Sequence, residues 1–381
     1  MNNNHRPAGE SGGRRRISWL GAVPVRGVRS GLFLVFTLGW LFAGLVLGAG
    51  CASRPHGDPL SGAELQRFEF TRPEMGVPFR IVVYAGASTN AAAAAEAAFA
   101  RVAALNSILS DYDPDSELNR LCHEAPVGKP VRVSPELGFM LERSTALSRK
   151  TDGAFDVTVG PLVNLWRRAR RHGELPPEAL IAEAKSRVGW DRLRLDRKAR
   201  TVTFLVAGMR LDFGAIAKGY AVDEAGRVLR AHKLNRFLVA AAGDIRAWDP
   251  PPGQRGWRVE VGGSDATNAP AARVAWLRRA AVSTSGDIFQ KLEIGGRRYS
   301  HILSPKTGVG LTDRCLVTVL ARDGVTADSV STAVSVLGPE RGLRLVEGTA
   351  GADVLILRGT GDGGEVERVQ SRGLEKWLAP R

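Results

Sequence analysis

Strand-like and helix-like segments follow one another in this chain without a βαβ rhythm, and that irregularity limits the fold more than any other feature. Apolar, β-branched runs at 78–85, 237–241, 257–261, 316–321 and 354–357 read as strands, and 193–206 as a β-hairpin. Helical spacing covers 90–109, 135–150, 176–187, 215–232 and 327–337, with Ser134 as N-cap and Pro135 in the first helical position. Such mixing predicts an α+β protein with mixed sheets and packed helices. The 381 residues, 44% apolar and 24% charged, suffice for a sizeable core. Despite 44 glycines, neither G-x-G-x-x-G nor G-x-x-x-x-G-K-[ST] stands in a strand–turn–helix context, so Rossmann and P-loop sites are excluded.

The first fifty residues read as separate from this fold. A basic start with Arg14, Arg15 and Arg16 leads into an apolar run from Leu32 to Ala49, closed by small residues before Cys51. That order describes an export signal. L-G-A-G-C resembles a bacterial lipoprotein box, with Cys51 as the lipidated first residue of the mature chain; Gly48 stands where that box has Leu. The run is also close to the roughly 20 apolar residues of a membrane span, and Arg14–Arg15 could belong to a twin-arginine signal. All three readings place the remainder outside the cytoplasm, membrane-anchored and facing the periplasm or the cell exterior, and the lipoprotein reading is favoured. Residues 52–74, polar with Pro and Gly, read as a tether.

A net charge of +14 would suit nucleic acid or anionic lipid. The basic residues are scattered and do not interleave with aromatics, which argues against nucleic acid. Arg167, Arg168, Arg170 and Arg171 form one local cluster, expected as a solvated face or helix end, with a phosphate-facing role as the lesser alternative. Cys122 and Cys315 could pair in an oxidising compartment, and no C-x-x-C suggests zinc or dithiol redox chemistry.

Chemistry concentrates between Tyr299 and Ala333. Y-S-H-I-L-S-P-K-T-G is followed, after a strand-like run, by T-A-D-S-V-S-T-A. Asp328 and Thr332 lie four apart, so a helix puts them on one face. A carboxylate and a hydroxyl so placed are half of an oxygen site for a hard cation such as Mg²⁺. A nearby histidine, His301, suggests proton transfer. The plainer alternative is a helix N-terminus with solvated polar residues.

Further polar or glycine-bearing segments accompany this one: Met75-Gly76, Y-D-P-D-S-E-L-N from Tyr112, T-D-G-A-F-D-V-T-V-G-P-L-V-N-L-W from Thr151, L-D-F-G-A-I-A-K-G-Y-A-V-D from Leu211, A-A-A-G-D-I around Asp244, and S-T-S-G-D from Ser283 to Asp287. In this order and spacing the chain resembles the ApbE family, the FAD:protein FMN transferases, over roughly Met75 to Leu357. The resemblance implies an ApbE-like fold that binds FAD and Mg²⁺, moves FMN onto a Thr or Ser hydroxyl of an acceptor protein, and releases AMP. It implies Ala215 (by its carbonyl), Asp328 and Thr332 as metal ligands and His301 as the base. It implies Met75, Tyr112, Ala154, Phe155, Asp156, Asp212, Lys218, Ile302 and Leu303 as FAD contacts. For Phe155 and Met75 plain core packing is the alternative, and for His301 a structural role. The implied partners are FMN-domain subunits of electron-transfer complexes and, through the lipid anchor, the membrane. Residues 1–51 are then an export signal, 52–74 a tether, 75–358 the transferase domain and 359–381 a peripheral tail.

Three positions depart from the family pattern. Ser304 stands where an acid commonly precedes the P-x-T-G proline, V-A-A-A-G-D replaces V-N-x-G-G-D, and Ser331 is Asp in some relatives. These departures keep two other functions open: an FAD-binding lipoprotein without catalysis, and an FAD pyrophosphatase giving FMN and AMP.

Overall fold

A computed structural model describes residues 65–263, 272–286, 291–360 and 365–379. The segment read as an export signal, Cys51 included, and Asp287 lie outside the described residues. In chain order the elements are β1 (Leu65–Glu74), β2 (Val77–Gly86), α1 (Ala91–Leu109), α2 (Glu117–Glu124), β3 (Val131–Arg132), α3 (Pro135–Lys150), α4 (Gly160–His172), α5 (Glu178–Ser186), β4 (Leu193–Asp196), β5 (Thr201–Phe204) and α6 (Ala217–Ala231). There follow β6 (Phe237–Ala241), β7 (Asp244–Ala247), β8 (Trp257–Val261), β9 (Arg273–Leu277), β10 (Ala280–Gly286), β11 (Lys291–Ile294), β12 (Arg297–Ser300), β13 (Cys315–Ala321), α7 (Gly324–Leu337), α8 (Pro339–Glu347), β14 (Asp353–Thr360) and β15 (Glu365–Gln370).

Among the described residues the main sheet has eight strands in the order β1-β2-β6-β7-β10-β13-β14-β15. Every neighbouring pair is antiparallel. Period-two patterning then separates two cores. Phe79, Ile81 and Val83 of β2 pack with α1, α3 and α6, while Val82 turns to the other face and joins Trp257, Leu277, Leu374 and Leu378. Helix α7 covers Val317, Val319, Val354 and Ile356. A smaller cluster joins Leu162 and Trp166 of α4 to Tyr299 and Leu303. Helices gathered on one face of an antiparallel sheet are the α+β arrangement expected from the sequence.

Two expected boundaries are corrected. Residues 65–74, read as part of the tether, form edge strand β1, paired with β2 through a two-residue turn at Met75 and Gly76. The tail read as peripheral supplies the opposite edge strand β15 and two core side chains, Leu374 at 0% and Leu378 at 6% exposure. The glycines of 359–364 interrupt its apolar pattern, which made this stretch look detachable. Cys122 and Cys315 form no disulfide; the Cys122 Sγ accepts from the Leu211 amide at 3.3 Å.

Candidate active site

Helices α6 and α7 cross at two glycines. A Cβ at Gly219 would lie 2.2 Å from the carbonyl oxygen of Gly324, and one at Gly324 would lie 2.3 Å from that of Gly219, so only glycine permits this approach. The closeness lets each helix cap the other. Asp328 on α7 accepts the Gly219 amide at 2.9 Å, and Asp223 on α6 accepts the amides of Gly324 and Val325 at 2.9 and 3.0 Å. Each carboxylate thereby sits at the positive end of its neighbour. The Gly219 amide belongs to the first turn of α6, where helix amides have no intrahelical acceptor, and Asp328 supplies one.

Around this crossing a polar cluster is buried. Asp328 is 3% and Asp244 4% exposed. The Lys218 Nζ lies 3.1 Å from Asp244 Oδ2, and Ser283 Oγ donates to Asp244 Oδ1 at 2.6 Å. One turn beyond Asp328, the Thr332 hydroxyl is 3.3 Å from Ser285 Oγ, which is 2.7 Å from Ser331 Oγ. Ser331 also donates to the Asp328 carbonyl at 2.9 Å. Two carboxylates thus share one ammonium. Burial, and then the charge of Asp244, push Asp328 up to about 7, against the opposing pull of Lys218 and the Gly219 amide. The field of Asp328, and after it Asp244, raises Lys218 further despite burial.

This donor set fits a hard divalent cation. It has two carboxylates against one ammonium, and the hydroxyls of Thr332 and Ser285 lie one turn from Asp328. Asp328 and Thr332 are the side chains that would hold it; Ala215, the third ligand the resemblance implies, lies in the turn that leads into α6. Among the described residues no group of three or more His, Cys, Asp or Glu side chains could hold a metal ion.

A second cluster lies where the Leu211 segment meets the Thr151 segment. The Asp212 amide donates to the Val157 carbonyl at 2.7 Å. Asp212 Oδ1 accepts from the Gly214 amide at 2.7 Å, and Oδ2 lies 3.2 Å from Arg167. Arg167 also pairs with Asp111, and its guanidinium lies 4.0 Å from the centre of the Tyr112 ring. Tyr112 is 76% exposed. Burial, and then the charge of Asp111, raise Asp212 to about 6. The expectation that the Arg cluster is a solvated helix end holds for Arg168 and Arg171, which are exposed. It fails for Arg167, which turns inward.

The remaining expected residues divide. Ile302 and Leu303 are buried in the turn after His301, with the Ile302 amide on Ser300 Oγ at 3.1 Å and Leu303 bridged to Gly310. His301 itself is exposed. Trp166 Nε1 donates to the Gly308 carbonyl at 2.8 Å, and Lys306 pairs with Asp152, tying the P-K-T-G turn to α4 and to the Thr151 segment. Phe155 belongs to the main core and Met75 is half-buried against it. Asp156 spends its carboxylate internally: Oδ1 accepts from the Thr158 amide and hydroxyl at 2.8 and 2.7 Å, and Oδ2 from the Trp190 amide at 2.9 Å. Ala154 is buried beside it. This internal bonding organises the loop. The expected site set did not contain Asp244, Ser283, Ser285, Asp111 or Arg167. The buried carboxylate of A-A-A-G-D and the S-T-S repeat were the signals available for the first three.

Comparison with known proteins gives one result. The profile of the ApbE family matches residues 75–356. An FAD:protein FMN transferase of Haemophilus influenzae is 32% identical over 260 residues, 67% of this chain and 75% of that protein. Its counterpart in Klebsiella pneumoniae is 30% identical over 314 residues, 81% and 86% of the two chains. The apo structure of Pseudomonas stutzeri flavinyl transferase ApbE superposes with a TM-score of 0.73 at 30% identity, covering 82% of this chain and 97% of that one. The flavin transferase ApbE of Vibrio cholerae gives 0.74 at 27% identity, covering 82% and 100%.

Proposed function

The chain belongs to the ApbE family, and from that premise we propose that it is an FAD:protein FMN transferase acting with Mg²⁺ on a Thr or Ser hydroxyl of an acceptor flavoprotein. The hydroxyl oxygen attacks the phosphorus of the FMN half of FAD. A P–O bond forms to the acceptor, the pyrophosphate P–O bond breaks, AMP leaves with its bridging oxygen, and His301 takes the hydroxyl proton. The single observation that carries this reading is the buried oxygen cluster at the α6–α7 crossing, with Asp328 and Asp244 facing one Lys218.

A bound Mg²⁺ would neutralise charge on the phosphate oxygens and the leaving group. Lys218 holds a fixed positive charge beside that position, because the two carboxylates keep it protonated. Asp328 stays oriented through the Gly219 amide. Tyr112 offers an exposed aromatic face for a planar ring, and Asp212 offers acceptor oxygens. Ser304 preserves the turn after His301 without an acid: its hydroxyl accepts from the Thr307 amide at 3.3 Å, as an Asp in that place would. The export signal supports an enzyme held at the membrane through Cys51, facing away from the cytoplasm, with acceptors among subunits of electron-transfer complexes.

The test mixes protein, FAD, Mg²⁺ and an acceptor domain, and reads flavin fluorescence in the denatured acceptor band. Asp328→Asn is expected to lower transfer at least 100-fold and His301→Ala at least 10-fold, the usual scale for a lost charge stabiliser or a lost base. AMP release without labelled acceptor would replace transfer by hydrolysis, and absence of both would overturn the proposal. Anchoring is checked by incorporation of labelled fatty acid into the wild type and its loss in Cys51→Ala.

A further inference from the structure

We propose that Arg167 is a positioning residue for the flavin nucleotide, fixing the ring of Tyr112 and the carboxylate of Asp212 as one preformed cradle. The inference rests on the transferase reading for its ligand and on geometry for its parts.

An aromatic side chain at 76% exposure would ordinarily sample several rotamers. Tyr112 has the Arg167 guanidinium 4.0 Å from its ring centre, which restrains the ring plane and leaves the other face open for stacking. The guanidinium is in turn held by two carboxylates from separate segments: Asp111 in the loop after α1, and Asp212 Oδ2 at 3.2 Å. Its own side chain is 17% exposed and lies beside the stripe by which α4 buries Leu162, Trp166 and Ala169. Its Nε is buried with no hydrogen-bond partner. A structural arginine in a buried ion-pair network normally satisfies its donors. One guanidinium thus touches Tyr112, Asp111 and Asp212 together.

Electrostatics gives the arrangement a second consequence. The charged or titratable groups facing Asp212 are Asp111, Tyr112, Arg167 and Lys218, with Arg170 facing Tyr112, and the Gly214 amide bonds directly to Asp212. Burial and Asp111 both favour the protonated form of Asp212, and Arg167 is the nearest cation opposing them. Without it, Asp212 and Asp111 would face each other and share a proton at neutral pH. A protonated Asp212 loses acceptor capacity toward a ribose hydroxyl or an adenine amine.

The experiment measures FAD affinity and quenching of flavin fluorescence from pH 5.5 to 8.5 in the wild type, Arg167→Lys, Arg167→Met, Tyr112→Ala and the double variant Asp111→Asn/Arg167→Met. The double variant leaves one carboxylate fewer without its cation, so it keeps the question open where Arg167→Met alone does not fold. Arg167→Met is expected to weaken FAD binding at least tenfold at pH 6.5, with a smaller deficit at pH 8.5, where Asp212 ionises without help. Arg167→Lys is expected to keep the wild-type pH profile but to quench less, because an ammonium does not stack as a guanidinium does. The double variant is expected to fold and still quench less than the wild type. Wild-type affinity and quenching in the folded double variant, or in Tyr112→Ala, would overturn the inference. If the wild type binds FAD but labels no acceptor while Arg167→Met still loses binding, the transferase reading fails and the positioning role stands.

Discussion

Ala242 sits at φ +53° in the two-residue turn between β6 and β7, where the family pattern has glycine. A Cβ in the left-handed region costs about 1–2 kcal/mol, and glycine recovers that at a smaller cost in chain entropy. Ala242→Gly should therefore raise unfolding stability by about 1 kcal/mol, read as a higher urea midpoint at unchanged slope. An unchanged or lower midpoint would mean the turn is not strained. The same turn delivers Asp244 to Lys218, and its Gly243 packs against β10, where a Cβ would lie 2.9 Å from the Thr284 carbonyl oxygen. A local backbone compromise thus lies two residues from the charge cluster. At this scale the sequence showed which residue types were present but not what each was bonded to. That Asp328 and Thr332 share a helix was legible from their spacing, whereas Lys218 was named only through the resemblance. Phe155 and Tyr112 were both read as FAD contacts, yet Phe155 fills the core while Tyr112 is exposed.

Among the elements, the α6–α7 pair has the least room for change. Gly219→Ala would place a methyl group 2.2 Å from a backbone oxygen and 2.7 Å from the Asp328 Cβ. Overpacking of this kind costs about 1–3 kcal/mol and more when backbone must move. The expected result is a loss of about 3 kcal/mol in a denaturant melt, together with loss of Mg²⁺-dependent stabilisation, because Asp328 moves with α7. If Gly219→Ala melts like the wild type, the helices have another way to separate and the glycine contact is not required. Asp223 is the second anchor of this pair, and burial pushes it up to about 6 even with Arg246 beside it. The reading of α6 as 215–232 came within two residues of Ala217–Ala231 at its start, and that of α7 began three residues late because Asp323 caps it at Gly324. Helix α4 was missed altogether. Its inward stripe, Leu162, Trp166 and Ala169, is interleaved with four arginines, which masks the period that would have marked it. Strand β10 was missed for the opposite reason: Ser283 and Ser285 face the site, so its inward side does not look apolar.

For the whole molecule, the C-terminal segment closes the sheet, although its sequence suggested an appendage. Leu374 and Leu378 fill the core beneath β8 and β9, and Asp353 at the start of β14 pins the segment there. The Asp353 carboxylate accepts from Ser371 at 2.8 Å and from Trp377 at 2.7 Å, and it pairs with Lys376 at 2.7 Å. Burial alone would push this carboxyl up. The hydrogen bonds from Lys376, Trp377 and Ser371 outweigh that effect and leave it below its ordinary value. A depressed folded-state pKa contributes stability that is fully present above the unfolded value, about 3.9, and is lost as pH falls through the lower folded value. Wild-type stability should therefore fall below about pH 4 more steeply than that of Asp353→Asn. At pH 7 the variant should already be weaker by about 2 kcal/mol, since charge-assisted hydrogen bonds contribute about 1.5–3 kcal/mol and the exposed Lys376 adds little. Urea melts of both proteins at pH 7, 4 and 3 decide the matter: curves that converge as pH falls support an anchored C-terminus, and curves that stay parallel would mean Asp353 does not carry it.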